Sequence, residues 1–239
     1  MKRLSSSSLI LAAAIALAAA STSAFADDGI YLNARQIDLT KLLAPPPTLG
    51  SPTQQAELAK VLKVQRTRTP EQVTRAQGDV HKSVFRFADV LGPSFSEANL
   101  PKTAALFLAA EHDAGLVAKG GKQYFKRARP FVTSDEVHPV VPTNNPKGYY
   151  GSYPSGHATF GYMAAILLAQ MVPEKSAALF ARGREFGMNR IVDGVHYPSD
   201  IEAGRIDGTL VAQALMANPK FQQDFSDAKA EVRAALALN

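Results

Sequence analysis

The sequence predicts an all-α protein built as a single helical domain, and three observations carry that prediction. Apolar residues recur at intervals of three and four over six or so windows of helical length, runs that alternate apolar and polar residues are nearly absent, and Gly, Pro or Asn breaks separate the windows. Helices of such length joined by short breaks bury their apolar stripes only by packing on one another. The composition agrees, since 239 residues with 46% hydrophobic and 20% charged side chains fit one or at most two globular domains and exclude a disordered or collagen-like chain. The chain has no Cys, so a disulfide framework, a thiolate metal site and a cysteine nucleophile are excluded and chemistry must come from oxygen, nitrogen and backbone groups.

Taken in order, Lys2 and Arg3 precede a 12-residue apolar run, 9–20, and Ala24-Phe25-Ala26 stands before Asp27-Asp28. This pattern predicts a secretory signal, 1–26, cleaved near Ala26 to release a periplasmic or secreted domain, 27–239. Twelve apolar residues fall well short of the roughly 20 that span a bilayer. Removing 26 of 239 residues leaves 213, and the charge drops from +5 to +3 with 24 basic against 21 acidic groups. Residues 27–70 are expected to be irregular, with Pro45-Pro46-Pro47 extended and a modest helix near 54–64. Thr69-Pro70-Glu71-Gln72 supplies a cap, a first-turn proline and a Gln three residues after the cap; Val73, Ala76, Val80, Val84 and Phe87 continue one helical stripe up to Gly92-Pro93. Further helices are expected over 101–119, 157–171, 173–188, 199–217 and 221–238. The stretch 130–156 holds five Pro and three Gly in 27 residues, which predicts a long ordered loop of the functional kind.

A mature charge of +3 makes no case for a nucleic-acid binder. The cluster Lys60, Lys63, Arg66 and Arg68 comes without an aromatic platform and is expected to be solvated surface. The apolar stretch 162–172 is interrupted by Gln170 and is too short to cross a membrane, so no membrane is expected for the mature form.

Three constellations fall beside the helix breaks. Lys122 and Arg129-Pro130 are separated by six residues; were the segment helical, two turns would put both cations on one face, suited to a dianion, and a basic surface helix is the plainer alternative. Gly151-Ser152-Tyr153-Pro154-Ser155-Gly156-His157 ends the loop and opens an apolar helix, so the Ser155 and Gly156 N–H groups form an anion cradle with His157 beside it. In Asn189-Arg190-Ile191-Val192-Asp193-Gly194-Val195-His196-Tyr197-Pro198-Ser199-Asp200, Pro198 marks a helix start. Asp200 lies four residues after His196, where its carboxylate can bond one ring nitrogen and leave the other as a nucleophile. A capping Asp beside a structural His fits the same spacing.

Together and in this order, Lys-x6-Arg-Pro, Pro-Ser-Gly-His and Arg-x5-His-x3-Asp resemble the three-part signature of the type 2 phosphatidic acid phosphatase superfamily, and within it the secreted bacterial class A nonspecific acid phosphatases. The likeness extends through GSYPSGH, the Arg-Gly-x-Glu-x-Gly approach to Arg190 and the C-terminal Asn-Pro-x-Phe-Gln-Gln, covering most of the mature chain. It implies the helical fold shared with vanadium-dependent haloperoxidases, and hydrolysis of small phosphate monoesters with release of inorganic phosphate, without a metal or other cofactor. By that resemblance His196 attacks phosphorus to give a phosphohistidine, Asp200 orients its ring, and His157 protonates the leaving oxygen and then activates water. Lys122, Arg129, Arg190, the Ser155 and Gly156 amides and the Ser155 hydroxyl hold the phosphate. The pattern departs from the family at Asn189, where Ser is common, at Ala158, where Thr is, and at Tyr197-Pro198, where Trp-Gln is. Glu111 only approximates the family's acidic stretch, and His81 and His138 have no assigned role.

Three rivals are weighed against this reading. A haloperoxidase is disfavoured by the short chain, a membrane lipid phosphatase by the lack of spanning segments, and a phosphate-binding module by the presence of nucleophile, proton donor and orienting carboxylate together. A homo-oligomer of the mature chain is compatible with this reading.

Overall fold

The computed structural model describes residues 28–238 and contains ten α-helices among them: α1 Leu39–Leu42, α2 Pro52–Thr67, α3 Pro70–Gly78, α4 Ala88–Leu91, α5 Pro101–Phe125, α6 Pro130–Thr133, α7 Gly156–Met171, α8 Ser176–Val192, α9 Pro198–Ala217 and α10 Pro219–Ala235. The only extended pairing among the described residues is an isolated bridge between Asp28 and Asn33. The chain is thus all-α. The expected signal, 1–26, lies outside the described residues. No described helix is long and apolar enough to cross a membrane.

Local chemistry sets the helix starts. Six of the ten helices begin on a proline, whose missing N–H costs nothing in a first turn. The Ser51 and Asn218 side chains cap α2 and α10, and Thr69 and Gln72 form a reciprocal capping box on α3.

Several boundaries differ from the sequence expectation: the stretch 130–156 opens with the short helix α6 rather than as loop, α2 and α10 each start two residues early, and three further differences bear on the site. The helix expected to run from Thr69 past Phe87 stops at Gly78, because the next residue, Asp79, turns its carboxylate into a buried cluster of donors from α8. Helix α5 continues past Gly120-Gly121 to Phe125, where a second glycine lets Pro154 pack against the helix; a Cβ on Gly121 would come within 2.9 Å of the Pro154 ring. Lys126 then takes a left-handed conformation, φ 46°, and ends it, so Lys122 and Arg129 share no helical face. Residues 173–175 form a 3-10 turn, and α8 runs to Val192, four residues beyond the expected end.

Helix α7 is the central element, buried on nearly every side, with α8 and α9 packed along it. The approach is unusually close. A Cβ on Gly183 of α8 would lie 2.6 Å from the Gly161 carbonyl, and one on Gly204 of α9 would lie 2.5 Å from the Ser155 carbonyl. The backbones of α7, α8 and α9 therefore meet without side chains between them, and their ends converge. At the turn from α8 to α9, Gly194 adopts φ 76°, a conformation that costs glycine little.

Gly204→Ala is expected to destabilise the protein by about 1–3 kcal/mol through overpacking against α7. Gly115→Ala is expected to stabilise it by about 0.5–1 kcal/mol, because a Cβ on Gly115 of α5 meets nothing within 4 Å. Thermal unfolding of the two variants checks both signs.

Candidate active site

The structure gathers the sequence-predicted residues at the joined ends of α5, α7, α8 and α9. Lys122, on the last turn of α5, donates to the carbonyls of Gly151 at 2.5 Å and Pro154 at 2.6 Å. Arg129 caps the start of α6 and donates from Nε to the Gly148 carbonyl at 2.8 Å and from Nη2 to the Gly151 carbonyl at 3.4 Å. The two cations therefore meet at one carbonyl of the long loop, by convergence rather than by sharing a helix. Burial, followed by the nearby Arg129 charge, pushes the Lys122 amine down to about 7. Burial and Arg190 push Arg129 down to about 10. These shifts mark a site short of negative charge.

The start of α7 differs from the cradle expected. Ser155 is the N-cap, fully buried, and its side-chain oxygen accepts from the Ala158 N–H. Its own N–H donates to the Asp200 carbonyl at 3.0 Å and so is not presented to a ligand. The amides left without an intrahelical acceptor by their position are those of Gly156 and His157. The Ser155 hydroxyl keeps its hydrogen for donation. His157 donates from Nε2 to the Val80 carbonyl at 3.0 Å, since a carbonyl only accepts, and this leaves Nδ1 as the nitrogen for a ligand. Its ring lies nearly parallel to Phe186, 6.4 Å away at 22°.

The geometry of His196 fixes its tautomer in the same way. Arg129 Nη1 stands 3.1 Å from His196 Nε2, and a guanidinium only donates, so Nε2 carries the lone pair. The proton sits on Nδ1, which donates to Asp200 Oδ2 at 3.2 Å. Asp200 is fully buried and meets only donors: Arg127 Nη1 at 2.7 Å, the Ser152 hydroxyl at 2.6 Å and the Tyr197 N–H at 2.8 Å complete its shell. That set demands the ionised carboxylate, although burial raises its pKa above the usual range. Burial and the charges of Arg129, Lys122 and Arg190 hold the His196 imidazole well below its ordinary pKa. Burial and Arg190 do the same to His157.

Arg190, near the end of α8, pairs with Asp193 and keeps a buried Nε with no partner among the described residues. Asp193 is itself fully buried, and burial pushes it up to about 6. Arg129 and Arg190 line a cavity of about 180 Å³ whose other walls include Phe131, Pro142 and Tyr149. A wider groove of about 390 Å³ begins at Val80, beside His157, and is lined by Phe85, Phe107, Leu108 and the Lys82–Glu111 ion pair.

A layer of charged residues behind the site was not singled out from the sequence. Arg127 is buried, bonds Asp200 and also Glu57 at 2.7 Å, and lies 4.2 Å above the Tyr197 ring. Glu57 accepts in addition from the Ser199 N–H at 2.7 Å, which ties α2 to the first turn of α9. In sequence Arg127 is one more basic residue in a basic stretch, and Glu57 one more acid on a polar helix; only the 70-residue separation between them hides the pair. Asp207 on α9 is buried, accepts from Thr159 at 2.7 Å, and is pushed up by burial to about 7. Of the basic cluster at the end of α2, Lys60, Lys63 and Arg66 are exposed, but Arg68 donates to the Val192 and His138 carbonyls at 2.6 and 3.1 Å. His81 and His138 are exposed. Among the described residues no group of three or more His, Asp or Glu side chains is placed to hold a metal ion.

The helical domain brings Lys122, Arg129, Arg190, the start of α7 and His196 together at the joined ends of its helices. The chain belongs to the PAP2 superfamily, whose sequence profile matches residues 103–224 and so spans all three constellations. It is 32% identical over 213 residues to a non-specific acid phosphatase of Providencia stuartii, covering 85% of each chain. It is 34% identical over 200 residues to an acid phosphatase of Zymomonas mobilis, covering 81% of this chain and 75% of that one. A non-specific acid phosphatase of Salmonella typhimurium is 29% identical over 195 residues, 80% of this chain and 78% of its own. The chain is an enzyme of this phosphatase type.

Proposed function

We propose that the protein hydrolyses a broad range of small phosphate monoesters through a phosphohistidine on His196, with no metal ion taking part. One observation carries the reading: His196 Nε2 bears its lone pair while Nδ1–H is bound to a buried carboxylate. In the first step Nε2 attacks phosphorus and the P–O bond to the leaving group breaks. The leaving oxygen takes a proton from His157 Nδ1. In the second step His157 takes a proton from water as the water oxygen attacks phosphorus, the P–N bond breaks, and phosphate departs. Lys122, Arg129, Arg190, the Ser155 hydroxyl and the Gly156 and His157 amides neutralise and hold the three equatorial oxygens, which is most of what phosphoryl transfer asks of a protein. The groove beside Val80 mixes apolar and charged walls and gives varied leaving groups room, which supports broad specificity. Cleavage near Ala26 would deliver the domain to the periplasm or medium, where such substrates are met outside the cell.

The shifted imidazoles explain activity on the acid side. A base whose pKa is lowered stays neutral to lower pH, so buried His196 remains a nucleophile where a free histidine would be protonated. His157 needs the opposite state, which its burial and then the Arg190 charge both oppose, and a bound phosphate dianion beside the ring favours the imidazolium by its own charge. A bell-shaped profile with its optimum below pH 7 follows. The test is rapid quench with radiolabelled aryl phosphate in EDTA: labelled protein that is stable to alkali and labile to acid supports the phosphohistidine, and turnover without such a species refutes it. Loss of turnover in EDTA refutes the metal-free reading.

Lys122 predicts a pH dependence of binding that needs no turnover. With its pKa near 7 in the anion-free site, it gains charge as pH falls through that value. Sulfate keeps the same charge over this range, so its affinity is expected to rise roughly tenfold between pH 8 and pH 6, an effect of about 1.4 kcal/mol. Calorimetric titration checks it, and Lys122→Met is expected to flatten the dependence.

A further inference from the structure

We propose that Asp79 is a positioning residue for the proton-transfer step, because it anchors the one carbonyl that decides which nitrogen of His157 faces the substrate. The inference rests on the reading of His157 as the acid. It concerns a residue that no constellation in the sequence includes.

Asp79 follows α3 directly and is fully buried. Its carboxylate accepts four hydrogen bonds, from Arg182 Nη1 at 2.8 Å and Nη2 at 2.6 Å, from Arg86 Nε at 3.0 Å and from Asn189 Nδ2 at 2.8 Å. One peptide unit further on is the Val80 carbonyl that receives His157 Nε2–H. Backbone bonds from the Asp79 N–H to the Arg75 and Ala76 carbonyls and from the Val80 N–H to the Gln77 carbonyl shape the turn locally. The Asp79 carboxylate ties that turn to α8, since the Val80 side chain is 40% exposed and His81 is exposed.

Arg182 holds the ring of His157 by a second route. Its guanidinium lies 5.2 Å from the Phe186 ring, and Phe186 is the ring that lies parallel to His157. Arg182 is itself fixed by Asp89 at 3.0 Å and by the Arg86 carbonyl at 3.3 Å. Asn189 precedes Arg190 in the chain, so the same cluster sits one residue from a phosphate-holding cation.

The chemistry of the ring makes this anchor consequential. With Nε2–H bound to a carbonyl, Nδ1 is the nitrogen that gives and takes the proton, and the imidazolium is stabilised at its far end. Releasing Val80 frees the ring to tautomerise and turn. Proton donation then falters while His196 keeps its own partners, Arg129 and Asp200.

The test compares kcat for a nitrophenyl phosphate, whose leaving group needs little protonation, with kcat for an alkyl phosphate such as glycerol phosphate, whose leaving group needs it. General acids contribute roughly 10²- to 10⁴-fold. His157→Ala is expected to lower turnover of the alkyl ester at least about 100-fold more than that of the aryl ester. Asp79→Asn is expected to lower alkyl-ester turnover about 10- to 100-fold with less than about a threefold change for the aryl ester, and to add nothing on a His157→Ala background. Asn189→Ala, which removes one donor of the four, keeps the test available if Asp79→Asn does not fold, and is expected to move the same ratio in the same direction. Equal losses on both esters in these variants, with His157→Ala still discriminating, would overturn the positioning role alone. A His157→Ala enzyme that does not discriminate would overturn the acid assignment, and the inference with it.

Discussion

His196→Ala is expected to lower phosphate release by about 10⁴-fold or more, the scale of loss when a covalent nucleophile is removed. The expectation is sharp because the surroundings survive the change. Asp200 keeps Arg127, Ser152 and the Tyr197 N–H as donors, so the buried carboxylate stays satisfied. Arg129 keeps the Val195 and Gly148 carbonyls. The variant should therefore fold and still bind phosphate while failing to turn over an aryl phosphate, and no labelled protein should accumulate on quenching. Phosphate release within tenfold of the parent enzyme would sink the assignment.

Asp200→Asn is expected to act on both activity and stability. An amide that turns its NH2 toward His196 meets the Nδ1 proton donor-to-donor, which drives that proton to Nε2. There it faces Arg129 Nη1, a second donor, and the nucleophilic lone pair is lost. In serine proteases the corresponding Asp-to-Asn change costs about 10⁴-fold through the wrong tautomer, and a loss of about 10³- to 10⁴-fold is expected here. The substitution also removes one of the two carboxylates that Arg127 is buried against, and since Glu57 remains the cost is expected at about 3 kcal/mol, the low end for a broken buried pair. In a domain of this size that lowers Tm by roughly 10 °C. Kinetics and calorimetry on the same preparation check the two effects, and a variant of full stability and activity would contradict the geometry.

The sequence made the helix starts legible because they are local events. Pro70, Pro101 and Pro198 stand at or within one residue of the starts expected, and Thr69 caps by a bond to the residue three ahead, whereas Pro130 opens a short helix inside the stretch expected to be loop. The three constellations could be picked out because the spacing within each is short, and the fold brings them to the joined ends of the same helices. What escaped was decided at long range. The stripe Val73, Ala76, Val80, Val84 reads as one unbroken helix, yet Asp79 breaks it for partners 103 and 110 residues away. Lys122 to Arg129 contains no Gly or Pro to announce that the helix ends at Phe125. Arg127, Glu57, Arg182 and Asp207 look like surface charge until the fold buries them, since a composition carries no record of which charges find partners.

The backbone contacts of α7 have a bearing on how such an enzyme diversifies. Where Gly204 lets α9 touch the Ser155 carbonyl, and the Ser155 N–H returns the contact to Asp200, no side chain intervenes that drift could exchange for another size. The reacting groups are thus carried by a chassis with few adjustable parts. The places open to change lie further out, at rim residues such as Pro142 and Thr143 and along the Phe85 to Leu108 side of the groove, which line the cavities without bonding the reacting groups. Engineering for a new substrate belongs on that rim, and libraries aimed at the α7–α9 seam would spend their diversity on misfolded protein.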